Sequence, residues 1–168
     1  MKHYTADHHF FHKQIIRYCD RPFKTEPEMR REIVARYNST VKADDEVYFI
    51  GDVAMLGASQ WEHLKGVISS MNGIKHLIFG NHDEFKWQRY LDIGFTSVHS
   101  SLILEDSGHK LVLAHDPSVY CCIRDMILIC GHVHTLFKSL PEKNVVNAGI
   151  DQWGFRPINI HDILEALK

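Results

Sequence analysis

Short apolar runs, separated by polar and glycine-containing segments, predict a chain that alternates between strands and helices. β-Branched and aromatic residues dominate several of these runs, which is typical of buried strands. We expect strands at residues 3–6, 46–50, 74–79, 126–130 and 157–160. The stretch SLILEDSGHKLVLAH predicts a hairpin around an Asp-Ser-Gly turn.

Apolar residues at helical spacing predict helices between the strands. The expected helices lie near residues 13–19, from 27 to about 37, and at 59–71, 84–91 and 161–167. In the second of these, Met29, Ile33 and Tyr37 share one face, and Pro27 is suited to a first helical turn. Strand–helix alternation followed by a hairpin indicates a layered α/β protein with helices packed on a largely buried sheet.

Composition adds few constraints to this picture. The 168 residues are 45% hydrophobic and 24% charged, as in an ordinary soluble domain. No stretch approaches the roughly 20 apolar residues of a membrane span, and the N-terminal residues lack a signal-like apolar core, so we expect a cytoplasmic protein. Four cysteines without a C-x-x-C pair (Cys19, Cys121, Cys122 and Cys130) are expected to be reduced and mostly buried.

Charge is distributed unevenly along the chain. The net charge of −2 gives no global attraction to nucleic acid. Residues 12–42, however, hold eight basic against four acidic side chains. This excess fits either a solvated helix face or a local rim that attracts anions, and the sequence leaves both interpretations open.

Polar side chains with ligand chemistry follow five of the predicted strands. Because ligands bind outside the carboxyl ends of the strands in α/β sheets, these side chains can converge on one site. They are Asp7 and His9, Asp52, Asn81 and His82, His115, and the pair His132 and His134. The chain has thirteen histidines, and histidine is the commonest metal ligand in proteins.

This set offers carboxylate, amide and imidazole donors without a thiolate. It contains too many donors for one tetrahedral ion and suits two divalent ions that share a carboxylate. The donor mixture favours Mn, Fe, Zn, Co or Ni over Ca or Mg. Two such ions can clamp a phosphate and generate hydroxide from bound water at neutral pH.

The motifs carrying these residues resemble those of the calcineurin-like metallophosphoesterases. In chain order they are D-H-H, GDV, GNHD, AH and GHVH, between Asp7 and His134. The D-x-H-F-x-H and RPF motifs near the start, with N-x-G-x-D-x-W near the end, resemble a compact bacterial and phage group. The resemblance implies an α/β fold of the four-layer α/β/β/α sandwich type, formed by one domain over residues 1–168 without a cap.

The resemblance also implies roles for individual residues. A first metal would take Asp7, His9, Asp52 and His134, and a second would take Asp52, Asn81, His115 and His132, with manganese favoured. His82 would contact the substrate phosphate and assist the leaving group, while Asp83 would orient and polarise His82. The implied reaction is hydrolysis of a phosphomonoester or phosphodiester by metal-bound hydroxide. An open, cap-free site is compatible with nucleotide or nucleic-acid-derived esters.

Further residues near the motifs are candidates for contacting the substrate or for shaping the pocket. We expect His12, Asn81 and Arg17 to bind substrate. Phe11 replaces a glycine that is common in the group, and Asp116 is either a carboxylate supporting the metal site or a turn residue. Asp151, Trp153 and Arg156 are candidates for shaping the pocket, although simple packing is favoured for Trp153.

Two other classes of protein compete with the enzyme. A binding scaffold that kept the fold and lost the chemistry would be expected to lack part of the ligand set or the acid histidine, and here every position is filled. A structural metal protein is disfavoured because closed zinc sites prefer thiolates. The substrate, the native metal and the oligomeric state are not indicated by the sequence.

Overall fold

A computed structural model describes residues 1–57, 59–83, 86–120 and 125–168, which form two sheets sharing one core. The first sheet has the order β1-β2-β3-β4, and each pair of neighbours is parallel. Its strands are β1 (Lys2–Thr5), β2 (Glu46–Ile50), β3 (Ile74–Ile78) and β4 (Ser97–His99). The continuous apolar runs in this sheet are explained by burial of both of its faces.

The second sheet is mixed and has the order β5-β6-β7-β9-β8. Its strands are β5 (Leu102–Asp106), β6 (His109–Leu113), β7 (Ile127–Cys130), β8 (Ser139–Leu140) and β9 (Val145–Asn147). Strands β6, β7 and β9 run parallel, and the outer pairs are antiparallel. The predicted β5–β6 hairpin is confirmed: Ser107 and Gly108 both have positive φ, as its tight turn requires.

Four helices cover one face of the first sheet: α1 (Ile15–Tyr18), α2 (Glu26–Thr40), α3 (Trp61–Ser69) and α4 (Trp87–Asp92). The last helix, α5 (Ile160–Ala166), packs with the second sheet instead. The side chain of Thr25 caps α2 by accepting the N–H of Glu28, and the predicted apolar face of α2 is buried. No helix within the described ranges is long and apolar enough to cross a membrane.

The core follows the alternation of side chains along the strands. In β2, Val47 and Phe49 pack with the helices, whereas Tyr48 and Ile50 pack between the sheets. The prediction of a mixed α/β protein with two packed sheets is therefore confirmed. Because α5 contributes Ile160 and Ile163 to the cluster between the sheets, the outer helical layer of the four-layer sandwich stays a prediction, and so does the absence of a cap.

Several sequence-based boundaries differ from the structure. The strand predicted at residues 157–160 is wrong: Ile158 makes only an isolated bridge to Tyr4, and α5 begins two residues later. Strands β4, β8 and β9 were not predicted, because their two or three residues are too short for a clear period. The helix expected at 84–91 runs from Trp87 to Asp92, and residues 84 and 85 lie outside the described residues. Cys19 and Cys130 are free, while residues 121 and 122 also lie outside the described part.

Candidate metal centre

The carboxyl ends of strands from both sheets meet at one edge of the molecule. Ala6, just after β1, donates its N–H to the Ala148 carbonyl just after β9, at 3.0 Å. Loops after β1, β2, β3, β6 and β7 therefore converge there. They carry all the predicted ligands, namely Asp7, His9, Asp52, Asn81, His115, His132 and His134.

Left-handed backbone conformation marks these loops. Five of the predicted ligands have positive φ: Asp7 (59°), His9 (51°), Asp52 (53°), His132 (71°) and His134 (44°). Such conformations cost roughly 1–3 kcal/mol each for a residue other than glycine, and they persist only where the surroundings enforce them. Here the loops restrain one another, since Asp7 and His9 donate their N–H groups to the carbonyls of Gly51 and Asp52.

Two glycines of the motifs are required by the close approach of these loops. A Cβ on Gly80 would lie 2.2 Å from Oδ1 of Asp52, and one on Gly51 would lie 2.4 Å from Nδ1 of His115. Gly51 also has a φ of +80°. The glycines of "GD" and "GN" thus allow a carboxylate and an imidazole to come close to the backbone.

One group of ligand atoms comes from Asp7, His9 and His134. One ligand atom from each lies within 4.8 Å of the others. His9 is 1% exposed, and its Nε2 atom has no hydrogen-bond partner. A buried imidazole nitrogen without a partner is unfavourable, and a cation in this group would supply the missing interaction.

The second group centres on His115. Its Nδ1 lies 2.8 Å from the Ile50 carbonyl, an acceptor, so Nδ1 carries the hydrogen and the neutral ring directs the Nε2 lone pair into the site. That Nε2 atom lies 3.0 Å from Oδ1 of Asn81, which is itself 2.9 Å from Nδ1 of His132. Nε2 of His115, Oδ1 of Asn81 and Nδ1 of His132 can each present a lone pair. Because lone pairs repel one another at such short distances, a proton or a cation must lie between these atoms.

The Asp52 carboxylate links the two groups. Its Oδ2 atom lies 3.5 Å from Nε2 of His9 and 3.4 Å from Nε2 of His115. With carboxylate, amide and imidazole donors, the residues present fit divalent transition-metal ions.

Electrostatics in the site also favour a cation. Burial raises the pKa of Asp7 to about 6 and lowers the pKa of His9 to about 2, so burial disfavours charge on both side chains. Burial also opposes ionisation of Asp52, but the hydrogen bond and charge of His115, together with the His82 N–H and the charge of His9, outweigh burial and lower the pKa of Asp52 to about 2. The site therefore holds at least one buried anion that needs positive charge nearby.

Two imidazoles supply that charge when protonated. Burial lowers the pKa of His115, but the hydrogen bond and charge of Asp52 reverse this effect and raise it to about 9. Burial likewise opposes charge on His134, but the hydrogen bonds with Asp151 and Cys19, together with the charges of Asp7 and Cys19, outweigh burial and raise the pKa of His134 to about 10. A metal ion would have to displace these protons, because only the neutral imidazole can ligate.

His82 lies at the exposed mouth of the site. Its backbone N–H donates to Oδ1 of Asp52 at 2.9 Å, and its ring centroid lies 5.4 Å from that of His9. The ring of His12 lies 6.5 Å from that of His82, and Nδ1 of His12 lies 3.4 Å from Nδ1 of His9. Both predicted substrate-side histidines are therefore next to the group formed by Asp7, His9 and His134.

Asp83 has partners other than the one predicted. Its Oδ2 accepts the N–H groups of Asp52 and Gly80, each at 2.8 Å, and its Oδ1 accepts that of Val53 at 3.0 Å. No contact between the Asp83 carboxylate and the His82 ring is seen among the described residues. This buried carboxylate holds two ligand loops together, and its predicted role in polarising His82 stays a prediction.

The segment with an excess of basic residues, 12–42, contains both exposed and buried arginines. Arg17 is exposed, whereas Arg21 is only 4% exposed and is bonded to Asp151 and to backbone carbonyls. The interpretation of the segment as an anion-attracting rim therefore cannot include Arg21.

Outside the segment, Arg156 pairs with Asp162 at the start of α5, and Asp116 accepts the Ser118 N–H in a turn.

The N-x-G-x-D-x-W motif supports the centre in ways that sequence reasoning missed. Asn147 is fully buried and donates its amide hydrogens to the carbonyls of His134 and Phe137. Trp153 packs between the sheets and donates its N–H to the Asn147 carbonyl, so the packing expected for it is confirmed. A Cβ on Gly149 would lie 2.7 Å from Oδ2 of Asp7. The spacing of the motif was the signal available in the sequence.

Comparison with known proteins indicates the fold but not the activity. No family model matches the chain. An uncharacterized protein from Methanocaldococcus jannaschii is 28% identical over 169 residues, covering 97% of this chain and 89% of that protein. A solved protein of unknown function from Aquifex aeolicus has a TM-score of 0.78 at 23% identity, over 98% of each chain. This chain therefore shares the fold of the Aquifex protein.

A phosphoesterase from Escherichia coli is a more distant structural neighbour. Its TM-score is 0.43 at 14% identity, over 88% of this chain and 77% of that one. A likeness this weak does not transfer an activity, so the function must be argued from the site.

The partners of Asp83 generate a test. Asp83→Asn places an amide NH₂ against backbone N–H donors, so we expect the free energy of unfolding to fall by about 1–3 kcal/mol in urea titrations. His82→Gln changes an exposed side chain and should stay within about 0.5 kcal/mol of the wild type. An Asp83→Asn protein with unchanged stability would contradict the role of Asp83 in holding the two loops together.

Proposed function

We propose that this protein is a phosphoester hydrolase of the calcineurin-like type that depends on two divalent transition-metal ions. The observation that carries the proposal is the buried, partnerless Nε2 atom of His9, which faces the carboxylate of Asp52 beside the ligand atoms of Asp7 and His134. Sites of this kind, with strained backbone at the ligands, are typical of catalytic centres.

The proposed ligands divide between two ions that share Asp52. The first ion would take Asp7, His9, Asp52 and His134, and the second would take Asp52, Asn81, His115 and His132. Manganese is favoured, and Fe, Zn, Co and Ni are compatible with the same donors. When bound, such ions neutralise phosphate charge and lower the pKa of a water molecule towards neutrality.

The exposed residues at the mouth would act on the substrate. His82 is held by its backbone N–H while its side chain is exposed, so its imidazole is free to contact a phosphate and to protonate a departing oxygen. His12 lines the same side and Asn81 lies at the mouth, which supports their proposed contact with substrate. Exposed Arg17 would attract the anion at longer range.

Phosphomonoesters and phosphodiesters are both compatible with this arrangement, and nucleotide or nucleic-acid-derived esters belong to that class. The proposal is tested by assaying a panel of monoesters, diesters and cyclic nucleotides with protein stripped of metal and then loaded with manganese. We expect hydrolysis only after loading. A loaded protein that hydrolyses no ester in the panel would favour the alternative of a metal-binding scaffold without catalysis.

The role of His82 gives a sharper test. A p-nitrophenolate leaves as a stable anion, whereas an alkyl or nucleoside oxygen needs a proton. General acid assistance is worth roughly 10²–10⁴-fold. We therefore expect His82→Gln to lose kcat/KM steeply on alkyl or nucleoside esters and much less on p-nitrophenyl esters, with metal content unchanged.

The matched control is His161→Gln, an exposed histidine on α5, which should leave both ester classes unaffected. Equal losses on both esters in His82→Gln would mean that His82 only binds the phosphate. Loss of metal would mean that His82 is a ligand.

A further inference from the structure

A buried ion pair lies behind the group formed by Asp7, His9 and His134. Arg21 Nε donates to Oδ1 of Asp151 at 2.7 Å, and its Nη2 donates to Oδ2 at 2.9 Å. The side chains of Arg21 and Asp151 are 0% and 2% exposed. Neither can reach a substrate in this state, so any effect on the site must act through other residues.

The pair contacts the centre at two points that are distant in sequence. Arg21 Nη2 also donates to the Asp7 carbonyl at 2.7 Å, and Nη1 donates to the His8 carbonyl at 3.0 Å. Oδ2 of Asp151 lies 3.3 Å from Nδ1 of His134. Arginine thus fixes the backbone that carries Asp7, while aspartate fixes the ring of His134.

Stabilisation of the fold does not by itself explain why the Arg21–Asp151 pair is buried. Desolvating two charges costs several kcal/mol per ion, and buried pairs are often no more stable than apolar residues of similar size. A bidentate pair does, however, impose a fixed geometry. Acceptance of the Nδ1–H of His134 by Asp151 selects the tautomer whose Nε2 lone pair is free to ligate.

The other half of the centre, formed by Asn81, His115 and His132, has hydrogen-bond partners of its own. The His115 ring is fixed by the Ile50 carbonyl, and Asn81 lies between His115 and His132. Among the described residues, no hydrogen bond joins the Arg21–Asp151 pair to these three side chains. The Asp7 carboxylate does accept the backbone N–H of His132, so the two halves are linked there as well as through Asp52. A defect in the pair should therefore act most strongly on the half that the pair contacts directly.

We propose that Arg21 and Asp151 are positioning residues that organise the Asp7–His9–His134 half of the centre and act only weakly on the other half. This inference rests on the proposed function, because it requires the centre to bind metal. It also gives a role to the arginine of the RPF motif and the aspartate of the N-x-G-x-D-x-W motif.

The test compares metal binding among variants in titrations of chelator-treated protein with Co²⁺, followed by calorimetry and by visible absorption. The main variant is the double substitution Arg21→Gln/Asp151→Asn, which removes both charges and leaves no unpaired buried ion. Arg21→Lys is the conservative variant, since lysine keeps the charge but cannot bridge both carboxylate oxygens. Arg156→Gln/Asp162→Asn is the matched control, because it removes a bidentate pair at the start of α5.

We expect the wild type and the control to bind two ions. The double variant should bind one ion about 10–100-fold more weakly, as is typical when the partner of a metal-ligating histidine is removed, and should lose much less affinity for the other ion. Arg21→Lys should weaken the same ion to a smaller extent. Because a merely structural role would weaken both ions alike, this selective loss is the diagnostic result.

Unchanged affinity for both ions, or equal weakening of both, in the double variant or in Arg21→Lys would overturn the proposal. A wild type that binds no ion would contradict the metal centre itself, so failure of the proposed function is distinguishable from failure of the positioning role.

Discussion

The burial of two carboxylates at one edge of the sheets is the constraint on which the site depends. Asp7 is 0% exposed and Asp52 is 1% exposed, and an uncompensated charge at either position would be very costly. Hydrogen bonds from backbone N–H groups and interactions with imidazoles compensate part of the negative charge of these carboxylates. The left-handed loop residues, the motif glycines and the buried Arg21–Asp151 pair all keep these carboxylates and their imidazole neighbours in place.

Much of the fold and of the candidate site is predictable from local sequence. The apolar runs ending in "GD", "GNHD" and "GHVH" place the strands and the polar residues that follow them, and the hairpin follows from its turn. These features depend on residues close together in the chain, and such features can be predicted from the hydrophobic periodicity of the sequence. The gathering of the strand-end residues follows from the parallel order of the strands.

The remaining features depend on contacts that no local pattern encodes. Arg21 looked like part of a charged surface, but it pairs with Asp151, which lies 130 positions later in the chain. Asp83 follows a histidine in sequence yet accepts N–H groups from the loop after β2. The positive φ angles of the ligands could not be predicted from the sequence either, because they arise from hydrogen bonds between the loops.

The distinction between an enzyme and a scaffold rests on the exposure of the site. The metal-side donors Asp7, His9 and Asp52 are buried, whereas His82 and Asn81 are exposed at the mouth. A purely structural centre has no need for exposed polar side chains at its opening, while a catalytic centre uses them on the substrate. The geometry therefore favours catalysis.

The most direct test of the central claim is diffraction from manganese-loaded crystals, recorded at the manganese absorption edge. We predict two anomalous peaks on either side of the Asp52 carboxylate, one beside His9 and His134 and the other beside His115 and His132. A single peak, or peaks elsewhere on the molecule, would contradict the proposed dinuclear centre.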